Sequence, residues 1–218
     1  MTIITVQCRL KAPEATRRTL WELMAGRNTP LINKLIELLR GHPDLDKWRD
    51  KGKLPAGVVG ELCKTLKADP LYNGQPSNAY KSAVETVEEQ FESLLALHLE
   101  LKEKLRIKTR RLAIFKSNAE LMQLSGLTLD DMKKRAGEVL NELKEDERKK
   151  PIGTLYRKYE LLFFDDPDRW AVCYLIKNGG KLPKGKEDPE KFEKSRRKLE
   201  IMVQKLTMRL DSCLPGGR

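Results

Sequence analysis

Residues 77–115 read SNAYKSAVETVEEQFESLLALHLELKEKLRIKTRRLAIF. Tyr80, Val84, Val87, Phe91, Leu94, His98, Leu101 and Leu105 recur in steps of four and three, with charged side chains between them. This is an apolar seam with a period near 3.5, the mark of a helix that packs along its length. A helix over the whole stretch is on the order of 60 Å long, and we expect it to pack antiparallel against later helices. Such an element commits the chain to a mainly α fold, an elongated helical bundle. His98 lies in the seam, where a hydrogen-bonded core or boundary histidine competes with a ligand.

Outward from the seam the helical pattern continues. On the N-terminal side, Leu20, Trp21, Leu23 and Met24 form a short apolar stripe. Asn28-Thr29-Pro30 reads as a helix start, a capping side chain followed by proline in the first turn. Leu31, Leu35, Leu38 and Leu39 follow until Gly41-His42-Pro43. A short helix carries Trp48, Lys51–Pro55 is a turn, and Val58, Val59, Leu62 and Leu66 mark a further helix. On the C-terminal side, Thr128 with Asp131 resembles a capping arrangement. Leu155, Tyr156, Tyr159, Leu162 and Phe163 predict an aromatic-rich helix ended by Asp165-Asp166-Pro167, and Trp170–Ile176 a short apolar one closed by Asn178-Gly179-Gly180. The last helix begins near Asp188-Pro189.

Only residues 3–10 read otherwise. Ile4, Val6, Cys8 and Leu10 alternate with Thr5, Gln7 and Arg9, the period of a half-buried strand. One strand cannot satisfy its own backbone ladder, so this N-terminal β-strand needs partners from missing sequence. The expected organisation is a strand over 1–13, helices over 14–210 with a possible sub-boundary near 145–151, and a connection onward at 211–218.

The net charge is +11, which favours a polyanionic partner. It is also clustered. Lys102–Lys116 holds seven basic residues against one acid, and Lys177–Arg218 holds twelve against six. A charged helix face is ordinarily just solvated; two strongly one-signed segments point to nucleic acid. The cysteines at 8, 63, 173 and 213 form no C-x-x-C pair, and there are two histidines. The expected metal and cofactor complement is therefore none, and no catalytic residue is predicted. No 18-residue apolar run and no signal-peptide pattern occur, so no membrane partner is expected and the cytoplasm is the default location.

Several stretches read together resemble one family. They are Ile3–Leu10, Leu20–Met24, Asn28–Asn33, Lys51–Pro55, Gly74–Ser77, Tyr80 with Ser82-Ala83, Tyr174–Gly179 and Pro215–Arg218. The chain resembles the N-terminal third of the transposon-associated, nuclease-inactive type V-K CRISPR effectors, with an interruption around Lys144–Lys150. The resemblance implies a recognition lobe that carries guide RNA and trans-activating RNA and engages target DNA beside a flanking motif without cutting it. It also implies transposition partners: an AAA+ regulator, a transposase and a small DNA-binding adaptor. The first strand would complete a wedge β-barrel with the remaining effector domains.

On the same likeness, Gln75, Ser77, Asn78, Tyr80 and Lys81 would approach the flanking-motif duplex, since a helix N-terminus suits phosphate. Close family members can carry arginine where Asn78 stands. Arginine suits a guanine edge, asparagine an adenine or a phosphate. Capping of the helix by Ser77 and Asn78 is the alternative. Lys108, Arg110, Arg111 and Lys116 would grip RNA or heteroduplex phosphates, as would Lys194, Arg196, Arg197 and Lys198; Arg9 and Arg27 are further candidates. Such contacts position a duplex while base pairing supplies specificity. Trp21, Trp48 and Trp170 could stack on bases, but their apolar neighbours favour core packing. A helical protein–protein scaffold is the competing class, and a small enzyme a third that no acid, His or Cys spacing favours.

Overall fold

The structure is a computed structural model, and it describes residues 12–159 and 167–213. These residues are mainly helical, with no strand among them. The strand expected at 3–10 lies outside the described residues, as do Leu162, Phe163 and the helix end expected at Asp165-Asp166; of the connection expected at 211–218, residues 211–213 instead continue the last helix and the rest lies outside the described residues. The chain divides into two compact units, Met1–Lys102 with Leu210–Arg218, and Glu103–Arg209.

The first unit opens with α1, Glu14–Leu23, which runs without a break through a π-helical turn, Met24–Asn28, into α2, Thr29–Arg40. The helix start expected at Asn28 is therefore not there. Asn28 has helical dihedrals, makes no capping hydrogen bond and is buried. Pro30 lacks an N–H, and its ring crowds the carbonyl four residues back, at Gly26. The wide turn, in which the Thr29 N–H reaches the Met24 carbonyl, makes room for it.

Leu31, Leu35 and Leu39 project from α2 at intervals of four and are fully buried. They meet Leu45 and Trp48 from α3 (Leu45–Lys51), Val59, Cys63 and Leu66 from α4 (Val58–Lys67), and the first half of α5 (Ser77–Ile114). In this unit α5 packs mainly on helices that precede it; of the later helices expected from the seam, α11 (Pro189–Cys213) reaches it, with Cys213 Sγ 4.0 Å from the Leu94 carbonyl. Its buried stripe holds Tyr80, Val87, Phe91, His98 and Leu101 as the spacing predicts. It also holds Ala83 and Leu95, while Val84 and Leu94 are only partly covered. Gly52 ends α3 with a φ of +64°, and a Cβ there would stand 2.6 Å from a Leu99 methyl. No other residue fits that turn. Trp48 is buried and its ring stacks on His42, with centroids 4.3 Å apart. Trp21 departs from core packing: nothing in α1 is buried, and the indole is 73% exposed.

His98 Nε2 lies 3.3 Å from Arg49 Nη2. The guanidinium only donates, so Nε2 accepts and the proton sits on Nδ1. Burial first, then the charges of Arg49 and Lys102, push the imidazole pKa below its ordinary value, with Asp50 opposing.

In the second unit, α6 (Asn118–Ser125) carries a complete capping box. Ser117 Oγ accepts from the Glu120 N–H, and Glu120 accepts from the Ser117 N–H at 2.6 Å. Thr128 caps α7 (Leu129–Glu142) as its spacing predicts. The short α8 (Glu145–Arg148) and α9 (Pro151–Lys158) lead to α10 (Pro167–Lys177), whose residues Trp170–Ile176 are all buried. A helix apolar on every side belongs at the centre of a core, and α10 packs on α6, α7 and α9. Burial pushes the Cys173 thiol there up to about 12, so it stays protonated and inert. α11, Pro189–Cys213, starts at Asp188, whose carboxylate accepts from the Glu190 and Lys191 N–H groups.

Lys177 ends α10 almost fully enclosed, its side chain 4% exposed and paired with Glu187. Its ammonium also donates to Asn118 Oδ1 and lies 5.4 Å from the Phe192 ring centre. Burial pulls its pKa below the ordinary lysine value, against the pull of Glu187.

Two outcomes follow for stability. The unfolded chain binds the His98 proton more tightly than the folded one. Stability contributed by neutral His98 is thus present above the ordinary histidine value and is lost as pH falls through it. Melting followed by circular dichroism should show a larger drop from about pH 7.5 to about pH 5.5 in the native chain than in His98→Gln; parallel drops contradict this. Glu187→Gln leaves an ammonium buried without its counter-charge and should lower stability in urea by about 3 kcal/mol, whereas Lys177→Met with Glu187→Leu should stay within about 1 kcal/mol of native.

Candidate nucleic-acid interface

The second half of α5 places Lys108, Arg111 and Phe115 at intervals of three and four, so they share one side. On α11, Ser195, Lys198, Leu199 and Met202 do the same. The two sides meet in a groove of about 170 Å³ lined by these seven residues. Phe115 and Phe192 hold the helices together, their rings stacked nearly parallel with centroids 5.0 Å apart. Leu199 is buried at the floor, and Met202 stays 44% exposed beside it. The Ser195 hydroxyl donates to the Lys191 carbonyl of its own helix. Lys108, Arg111 and Lys198 therefore supply the polar chemistry. None of the three is ion-paired among the described residues, and no acid lines the groove. Lys194 stands one turn before Lys198, and Arg197 flanks it; both are exposed. Lys116 is half-buried just past Phe115.

Arg110 and Arg196 are used differently. The Arg110 guanidinium lies 5.2 Å from the Tyr156 ring centre, and its Nε is buried without a partner. Burial raises the Tyr156 hydroxyl above its usual value, and the charges of Arg111 and Arg110 pull it back. Arg196 pairs with Glu120 at 3.2 Å and with Glu200 at 3.4 Å. Burial would raise Glu120, but the Ser117 hydrogen bonds and Arg196 outweigh it and hold the carboxyl below its usual range. These two arginines tie α11 and α9 to their neighbours.

The set at the start of α5 also divides. Gln75 and Tyr80 are buried. The Tyr80 hydroxyl donates to the Tyr72 carbonyl at 2.6 Å, and the Gln75 amide donates to the same carbonyl at 3.3 Å. Both side chains build the turn into α5 and do not present themselves to a duplex. Ser77, Asn78 and Lys81 are exposed at its first turns, with Lys81 3.7 Å from Glu85. Arg27 is exposed and reaches the Asn73 carbonyl of this loop at 3.5 Å. Arg9 lies outside the described residues. Among the described residues no cluster of His, Cys, Asp and Glu could hold a metal, and no helix is long and apolar enough to cross a membrane.

The charge count led to Lys108, Arg111 and Lys198, but missed the apolar floor. Phe115 and Met202 carry a signal, the spacing of four to Arg111 and Lys198, that becomes visible only once α5 and α11 are known to be adjacent. No protein-family model matches the chain, and neither does any curated protein sequence.

The division among the arginines is measurable. Arg110→Ala and Arg196→Ala should each lower stability by about 1 kcal/mol, whereas Arg111→Ala and Lys198→Ala should stay within about 0.5 kcal/mol of native. Equal losses across all four in thermal melts would contradict the partition.

Proposed function

We propose that this chain binds nucleic acid through the α5–α11 groove, as the recognition portion of an RNA-guided DNA-targeting effector of the transposon-associated type. The observation that carries the binding is one groove in which two basic segments, far apart in sequence, place three unpaired cations over an apolar floor. Cations free of internal partners release counterions from a phosphate backbone at no loss of ion pairs within the protein. Phe115 and Met202 offer a surface for ribose and base edges, a combination common in strand-binding grooves.

In this reading the partners are guide RNA, trans-activating RNA and target DNA, with the transposition proteins recruited to the assembled complex in the cytoplasm. The groove grips backbone, and sequence is read by base pairing. Ser77, Asn78 and Lys81, with Arg27 beside their loop, remain the candidates for the flanking-motif duplex. The role requires no catalytic group, metal or cofactor. This family-level assignment rests on the sequence resemblance; the groove supports the nucleic-acid part of it.

The test is fluorescence anisotropy of the chain with its guide–trans-activating RNA and with a random duplex, over a salt series. Binding should weaken steeply with salt. Arg111→Gln with Lys198→Gln should reduce the slope of log affinity against log salt by about 2. Binding that ignores salt and both substitutions would favour the protein–protein scaffold instead.

A further inference from the structure

A second cationic recess in the Glu103–Arg209 unit shares no residue with the groove. It is a cavity of about 640 Å³ lined by Asn141 of α7, Arg148 and Lys149 at the end of α8, Pro151 of α9, and Gly180 and Lys181 after α10, with Leu140 and Gly179. Three of these residues are cationic, and none is acidic.

The recess is held open by its own backbone contacts. Arg148 donates from Nε to the Leu143 carbonyl at 2.9 Å and from Nη2 to the Asn141 carbonyl at 2.8 Å. Those bonds fix the guanidinium against the last carbonyls of α7 and leave Nη1 uncommitted among the described residues. Gly180 has a φ of +76°, and a Cβ on it would stand 2.6 Å from Pro151 Cγ. The wall after α10 is therefore pressed onto the start of α9, and only glycine fits there. Lys149 pairs with Asp146 at 3.2 Å, a contact open to solvent that a stronger anion displaces cheaply. Lys181 makes no ion pair among the described residues. The Nη1 of a fixed guanidinium, with two ammonium groups, around a cavity that no acid lines matches the oxygens and charge of phosphate better than a monovalent anion.

We propose that this recess binds a phosphate group, independently of the α5–α11 groove. The phosphate belongs either to the backbone of a nucleic-acid strand or to a free phosphate compound. The test is a titration of the isotope-labelled full chain with inorganic phosphate at constant ionic strength, read by amide shifts in NMR. The amides of Lys149, Ile152, Gly179, Gly180 and Lys181 should move and saturate. Lys149→Gln with Lys181→Gln, which spares the structural Arg148, should weaken the phosphate affinity by roughly tenfold. Arg111→Gln with Lys198→Gln should leave it unchanged, so failure of the groove and failure of the recess are told apart. Amides that do not move, or that move equally in the Lys149/Lys181 variant, overturn the proposal. Competition then identifies the source: displacement by a short single-stranded RNA assigns the recess to a strand, and displacement by adenosine monophosphate alone assigns it to a free phosphate compound.

Discussion

The fold depends on one constraint: the apolar stripe of α5 must be covered along its length. Tyr80, Ala83, Val87, Phe91 and Leu95 enter the core built with α2, α3 and α4, and Ile114 enters the core around α10. A single helix of 38 residues thus contributes to both compact units. Most of its stability comes from this coverage, since in folded proteins packing of one apolar face outweighs helix propensity. The residues left outside the covered stripe in its second half, Lys108 and Arg111, are the ones that reach the groove.

Electrostatics are apportioned accordingly. Lys177 is buried, and its neighbours compensate it: a carboxylate, an amide oxygen and two aromatic faces. Arg110 and Arg196 face aromatic or acidic partners within their unit. Arg148 caps the carbonyls at the end of α7. Lys108, Arg111 and Lys198 in one recess and Lys181 in another make no ion pair among the described residues, and no acid lines either recess. An excess of positive charge repels itself and costs stability, so cations left unpaired beside concave surfaces point to an anionic partner.

Much of this was legible from sequence, for identifiable reasons. The period of α5, the Thr128 cap, the Gly179-Gly180 helix end and the Asp188 start of α11 rest on local chemistry, and local chemistry decides them. Asn28 misled because Pro30 can be absorbed in a π turn as well as opened by a cap, and the choice depends on burial of Asn28. Trp21 misled because its neighbours Leu20 and Met24 suggest a core that no described residue supplies. Gln75 and Tyr80 misled because a buried hydroxyl bonded to the Tyr72 carbonyl reads the same in sequence as an exposed one. Arg110 and Arg111 are adjacent, and helix geometry turns them to different sides; only the placement of Tyr156 and α11 tells which one is free.

The central claim is that the α5–α11 groove is the strand-binding surface. The most direct measurement is photo-crosslinking of the chain to thiouridine-substituted guide RNA, followed by mapping of the linked peptides. The account predicts crosslinks concentrated at Phe115 and Met202 and in the segments 108–116 and 194–202. Crosslinks confined to other surfaces, with these peptides unmodified, would contradict it.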